Sequence, residues 1–366
     1  VSPLVTTRTS LLDLMRSPAS AAPVVCGVLA VNVMVFLAML LAGAGWWHAA
    51  QGVPLAWGAN FGPATQDGQW WRLGTAMFVH FGVMHLALNM WALWDVGRLM
   101  EGLLGRWRFA ALYLGSGVLG NGVSLVVQGN QAVSGGASGA VFSLYGALLV
   151  FLWRERRQVD RSEFRWLFGG ALFFTALMLG LGLVLPGIDN AAHAGGLLAG
   201  ALLGGLLARP WTAQSPPVRA WQWASASGVL LLVALLWRTL PAPPYLMGEE
   251  LKARAGIAQF LQEDQRISQR WGSLVQSGQQ GGQTFEQLAG RIDAEVAAGY
   301  ARSFDRLAAA APAGDAPSAA TLGALQAYAV QRAEAARTLS DGLRRGDAQA
   351  LDAALRPASA PLLPRR

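Results

Sequence analysis

Residues 133–147 read VSGGASGAVFSLYGA. Three glycines and two serines within 134–139 run straight into an apolar segment, and no charge occurs between Asn130 and Trp153. Glycine and serine clusters mark loops, yet an uncharged run of this length belongs to a buried or membrane-embedded helix. If that helix starts near Ser138 and ends near Trp153, it has ~16 residues and spans about 24 Å at 1.5 Å per residue. The hydrocarbon core of a bilayer is ~30 Å thick. With Arg154 held at one surface, Ser138 falls several ångströms below the other. Irregular backbone at that depth is tolerated only inside protein or beside a water-filled cavity. The stretch therefore predicts a hydrated pocket with a serine at a helix N-terminus, where free N–H groups and the helix dipole favour a negative oxygen.

The rest of the chain has membrane composition. Of 366 residues, 53% are hydrophobic and 13% charged, and the mean hydropathy is +0.35; soluble domains carry about 25% charged residues. Candidate spans fall at 24–42, 77–97, 107–128, 138–153, 167–185, 191–208 and 222–240. The first follows Arg8 and Arg16 and precedes Ala42-Gly43-Ala44, as a signal peptide would. Its apolar run exceeds the usual signal length of about 7–15 residues, so it is read as a retained helix.

The net charge of +7 and pI near 10.4 do not point to nucleic acid, because no basic-aromatic patch accompanies them. Arginines gather instead in alternate connectors: Arg98, Arg106 and Arg108; Arg154, Arg156, Arg157, Arg161 and Arg165; Arg209 and Arg219. Residues 129–137 and 186–190 have no Lys or Arg, and 43–76 contain only Arg72. The positive-inside rule places the N-terminus in the cytoplasm and, with seven spans, the C-terminal tail on the opposite side. A single cysteine, Cys26, excludes an intrachain disulfide and a cysteine zinc site; no metal or cofactor is called for. From Pro241 the composition turns to Ala, Gln, Arg and Glu. Ile292, Val296, Tyr300, Phe304 and Leu307 recur at helical spacing, 312–317 break the pattern, and a second helical segment runs to about Leu355. This predicts a water-exposed helical hairpin without chemistry of its own.

Ionisable groups within spans are costly and are functional candidates by default. His48 lies in the first loop and reads as solvated. His85 and Asn89 are four apart and share a helix face; such a pair hydrogen-bonds a neighbouring helix or stabilises an anion, and the spacing leaves both open. His193 heads the stripe Gly196, Gly200 and Gly204, which allows close helix contact. Asp189 is one turn earlier and reads as the helix N-cap, with Asn190 competing for that role and an orienting acid as the alternative. The serine lacks the Gly-x-Ser-x-Gly elbow, because position 140 is alanine, and follows no strand. In the predicted pocket Ser138 acts as nucleophile, and His193 accepts its proton and returns it to the leaving amine. His85, Asn89 and the Ser138 N–H stabilise the oxyanion, a role worth ~3–4 kcal/mol per donor.

These residues resemble the rhomboid family of intramembrane serine proteases over about residues 20–210. The resemblance rests on Trp71-Arg72 with His80, His85 and Asn89; on Gly136-Ala-Ser138-Gly139; and on Ala192-His193-Ala-Gly-Gly196 with Gly200. Glu101 with Gly105 matches a further short element of the family. The resemblance implies an all-α polytopic membrane protein with a six-helix core, here carrying a seventh C-terminal transmembrane helix and a helical extramembrane tail. The implied division is 1–20 cytoplasmic segment, 21–210 catalytic core, 211–240 linker and seventh helix, 241–366 extracytoplasmic tail. It implies a Ser138–His193 dyad, an oxyanion pocket with His85 and Asn89, and a Trp-Arg loop flanking the substrate route. Gly136, Gly139, Phe142, His80 and Gly196 support the site. Substrates would be transmembrane proteins cut within the lipid bilayer, with no cofactor and no nucleic acid. Family type and the absence of an organellar presequence imply a bacterial inner membrane. Phe142 departs from the family, which often has a tyrosine stacked on the histidine. Substrate recruitment or binding of a partner protein are the roles open to the tail. The alternatives are a proteolytically silent rhomboid-like protein binding membrane clients, which would typically lack the serine or histidine, and a transporter, for which no inverted repeat is visible.

Overall fold

The computed structural model describes residues 10–11, 22–49, 52–129, 131–212, 215, 217–280 and 283–346, with the side chain of Gln279 excepted. Apart from Ser10 and Leu11, the predicted segment 1–20 lies outside them, as does the predicted helix end near Leu355. The chain divides into two compact units, Val1–Pro243 and Pro244–Arg366. Both are helical, and among the described residues the only β pairing is the isolated bridge between Asn60 and Ser134.

The first unit contains α1 (Pro23–Leu41), α2 (Val83–Leu104), α3 (Arg106–Gln128), α4 (Ser138–Glu155), α5 (Arg161–Val184), α6 (Asn190–Leu206) and α7 (Arg219–Thr239). Four of these, α1, α3, α5 and α7, are long and apolar enough to cross a membrane, and α2 with the bent turns before it makes a fifth. The remaining two, α4 and α6, have 18 and 17 residues, about 27 and 26 Å long. Every residue of 139–148 in α4 is buried, whereas α6 is buried along its α4 face and leaves Leu198 exposed. Large apolar side chains are exposed on α1, α5 and α7, among them Met34, Leu172, Phe173, Leu230 and Trp237.

Without a hydrophobic force between helices in lipid, close association depends on small residues that let backbones touch. A Cβ at Gly196 would fall on the Gly139 carbonyl oxygen, one at Gly200 on the Ser143 carbonyl oxygen, and one at Gly204 would lie 2.7 Å from Ala147 Cβ. The predicted glycine stripe is thus the α4–α6 seam. The Glu101–Gly105 element also has a local cause. Both Glu101 carboxylate oxygens accept N–H groups from the first turn of α1, Val24 at 3.1 Å and Val25 at 2.8 Å, supplying the cap that Ala22 lacks. Gly105 then ends α2 at φ 76°, a conformation that favours glycine.

The second candidate span differs from its expected form. It is not one helix from residue 77: turns at Arg72–Thr75 and Ala76–Phe78 precede a break, and α2 begins only at Val83, bent by 95°. His80 therefore stands in the break and not on the helix. Before it, Arg72 braces the loop, donating to the carbonyls of Leu55 at 2.7 Å and Ala59 at 3.0 Å.

The second unit is more than the predicted hairpin. A 34-residue helix, α8 (Met247–Gln280), precedes α9 (Phe285–Ile292), a π turn (Asp293–Ala297), α10 (Ala298–Ala309) and α11 (Ala319–Arg345). Ile292, Val296, Tyr300 and Leu307 are buried as their spacing predicts, against Phe260 and Trp271 of α8 and Leu325 and Leu339 of α11; Phe304 is partly buried. Asp264 accepts the Tyr300 hydroxyl at 2.8 Å, and the buried Arg332 guanidinium lies over Trp271, 4.9 Å from the ring centre.

Candidate active site

Ser138 is the first residue of α4 and is half-buried. Gly139 follows it into the seam, where a Cβ would lie 3.3 Å from the Ala192 carbonyl oxygen. The residues flanking this backbone contact are Ser138 on one helix and His193 on the other. One turn into α4, the buried Phe142 ring stacks on the His193 imidazole, with centroids 4.3 Å apart and planes 7° from parallel. His193 is itself buried, and its Nδ1 has no hydrogen-bond partner. Among the described residues no hydrogen bond joins Ser138 to His193.

A second group stands on the α2 side. Gly136 has φ +120°, and a Cβ there would stand 2.7 Å from both Cε1 and Nε2 of His85. The imidazole thus lies against bare backbone two residues before Ser138. His85 Nδ1 accepts the Phe81 N–H at 3.5 Å, a long bond. A neutral ring that accepts there carries its proton on Nε2, the nitrogen facing the loop. His80 meets His85 edge-on at 5.0 Å, and its Nε2 accepts the Ala137 N–H at 3.4 Å. The loop is held once more by Gly136 N–H donating to the Ala76 carbonyl at 2.9 Å.

The structure therefore groups Ser138, Gly139, Phe142, His193 and Gly196, and sets Gly136, His85 and His80 beside them. Asn89 is the exception, since its amide turns back to the His85 carbonyl at 2.8 Å on its own helix. His48 is exposed, as expected. Asp189 caps α6 by accepting the Ala192 N–H. Asn190 does not compete for that role; its amide donates to the Leu179 carbonyl of α5 at 3.0 Å. Sequence reasoning missed Ser124, Gln128 and Ser134, all of which donate to Asp189. The available signal was Ser124 and Gln128, polar and one turn apart in an otherwise apolar stretch.

A family model described as the Rhomboid domain matches residues 67–210. The chain is 36% identical over 156 residues to "Rhomboid protease GluP" of Bacillus subtilis (strain 168), covering 43% of this chain and 30% of that protein. It is 35% identical over 155 residues to "RHOMBOID-like protein 9, chloroplastic" of Arabidopsis thaliana, covering 42% and 34%. "Putative rhomboid protease YdcA" of Bacillus subtilis (strain 168) is 36% identical over 146 residues, covering 40% of this chain and 70% of that protein. The chain thus spans about a third of the length of the first two relatives and most of the third.

Proposed function

The chain belongs to the rhomboid family, and we propose that it is an intramembrane serine endopeptidase using Ser138 and His193. The supporting observation is the backbone contact of α4 with α6 at Gly139, Ala192 and Gly196, which is flanked in sequence by Ser138 on one helix and His193 on the other. In this reading the Ser138 hydroxyl attacks the scissile carbonyl as His193 takes its proton. The oxyanion receives the His85 Nε2–H and backbone N–H groups at the start of α4, where the helix dipole adds to them. Collapse breaks the C–N bond, and His193 returns the proton to the departing amine. Water then attacks the Ser138 ester, giving its proton to His193, and the carboxyl product leaves as the serine is reprotonated. Asn89 reaches the oxyanion only if its amide leaves the His85 carbonyl, so it has the secondary role.

The substrates in this reading are transmembrane proteins cut within or near the bilayer. The architecture is a six-helix core over 21–210, a seventh helix at its end, and the helical unit as an extramembrane tail. The arginine distribution supports a cytoplasmic N-terminus and an extracytoplasmic tail, and the same reading sets the chain in a cell inner membrane. The test is labelling of the reconstituted protein with a fluorophosphonate probe. Wild type should label, and Ser138→Ala and His193→Ala should not; labelling that persists in Ser138→Ala overturns the assignment.

A further inference from the structure

Asp189 does more than cap a helix. Its Oδ1 accepts the Ala192 N–H at 2.9 Å and the Gln128 amide at 3.2 Å. Its Oδ2 accepts two hydroxyls, Ser124 from α3 and Ser134 from the loop before α4, each at 2.5 Å. An N-cap needs only the first of these bonds. The other three spend the remaining acceptor capacity of the carboxylate on elements that bear on Ser138. Ser134 is four residues before Ser138, and its backbone pairs in both directions with Asn60 at 2.8 Å. Asn60 in turn donates to the Asn121 carbonyl of α3 at 3.1 Å and accepts the Thr65 hydroxyl at 2.8 Å. Gly135 and Gly136, between Ser134 and the active serine, have no side chains with which to hold position. Beside the backbone bonds of Gly136 to Ala76 and Ala137 to His80, the side-chain hold on the loop comes at Ser134.

On the other side, Asp189 is one turn before His193, whose N–H donates to the Asp189 carbonyl at 3.1 Å. One residue is thus tied both to the segment leading into Ser138 and to the turn carrying His193. Its carboxylate bonds to neither of their side chains, and His193 Nδ1 has no partner, so it does not act as a triad acid. We infer that Asp189 is a positioning residue, which sets the Ser138–His193 separation by clamping the Ser134 loop and α3 to the first turn of α6. This inference rests on the dyad reading above. Charge-assisted hydroxyl bonds suit the task, being short and about twice as strong as neutral ones.

The experiment compares full-length variants in liposomes by fluorophosphonate labelling rate and by kcat and KM on a model transmembrane substrate. Asp189→Ala should lower labelling and kcat on the order of 10–100-fold, the effect of a sub-ångström to 1 Å misplacement, with KM unchanged. Asp189→Asn keeps the cap oxygen and offers an N–H that a serine hydroxyl can accept, so it should recover most of the loss. Wild-type kcat in Asp189→Ala overturns the clamp. So does an Asn variant as slow as Ala, which would make the charge on the imidazole decisive. If Asp189→Ala does not fold, Ser134→Ala decides, because it leaves the cap intact. It should lower kcat about 3–10-fold, the loss of one hydrogen bond, and unchanged kcat overturns the proposal. Ser138→Ala is the separate control: labelling that survives there, or a wild type that neither labels nor cleaves, sinks the dyad reading and the clamp with it.

Discussion

The Phe142 ring lies flat on the His193 imidazole, 4.3 Å between centroids and 7° from parallel. Such a pair is worth about 0.5–1.5 kcal/mol beyond its buried area, enough to select one imidazole orientation. Phe142→Leu fills most of the volume but removes the flat face, so labelling should fall up to about tenfold, the same energy expressed as a rate. Phe142→Tyr keeps the face and should label like wild type. Phe142→Ala opens a cavity and should cost about 3–5 kcal/mol in stability. Labelling rates and thermal unfolding in detergent distinguish the three. Equal rates for Leu and Phe would remove any orienting role for the stack.

Gly136 and His85 are one unit. Adding a Cβ at φ +120° strains the backbone, and the new atom would stand 2.7 Å from His85 Nε2. Gly136→Ala should therefore displace the imidazole and lose its hydrogen bond to the oxyanion, lowering kcat about 10²-fold. His85→Ala should lose a similar factor, and the double variant should be no worse than the poorer single, because both remove one interaction. Additive losses, measured as kcat on a transmembrane substrate, would separate the two residues.

The residues that were legible in the sequence carry their cause locally. Ser138 starts α4 because the glycines before it allow the positive φ of +120° at Gly136 that breaks the helical path, and Asp189 caps α6 because a carboxylate precedes an Ala-rich helix start. The stripe at 196, 200 and 204 reads as a contact face from spacing alone. The break before Val83 did not, because 76–83 are mostly apolar and the bend is imposed by tertiary bonds, among them the Ala76 carbonyl accepting Gly136 N–H. The bonds from Ser124 and Ser134 to Asp189 depend on which groups meet across 65 and 55 positions of chain. α8 escaped notice because its buried residues, Phe260, Ile267, Trp271 and Leu274, are diluted among polar ones.

The seam itself is testable with one methyl group. Gly196→Ala would place its Cβ on the Gly139 carbonyl oxygen, forcing α6 away from α4 one turn from His193. Overpacking of this kind costs about 1–3 kcal/mol, so thermal unfolding should drop and labelling should fall with it. Gly180→Ala on α5 meets nothing within 4 Å, and alanine favours helix. It should leave both readouts at or above wild type. A Gly196→Ala protein that unfolds and labels like wild type would show that the helices do not need contact at this level.

Glu250 gives the tail unit an acid limit. This buried carboxylate accepts the Ser318 N–H at 3.1 Å, the Ser318 hydroxyl at 2.8 Å and the Arg254 Nε–H at 2.6 Å. It therefore caps α11 from the first turn of α8. Burial alone would raise its pKa, but the Ser318 and Arg254 bonds together hold it below the ordinary value. A carboxylate whose folded pKa is depressed adds stability above its unfolded pKa, and that stability is lost as pH falls through the folded one. Protection of the α11 N-terminal amides from hydrogen exchange in the full chain should hold at neutral pH. It should decline as pH drops below the ordinary glutamate value of about 4.3. Glu250→Gln should weaken the same amides at neutral pH by about 1.5–3 kcal/mol, the worth of bonds to a charged group, and flatten the acid dependence. An unchanged acid profile in that variant would assign the pH response to other carboxylates.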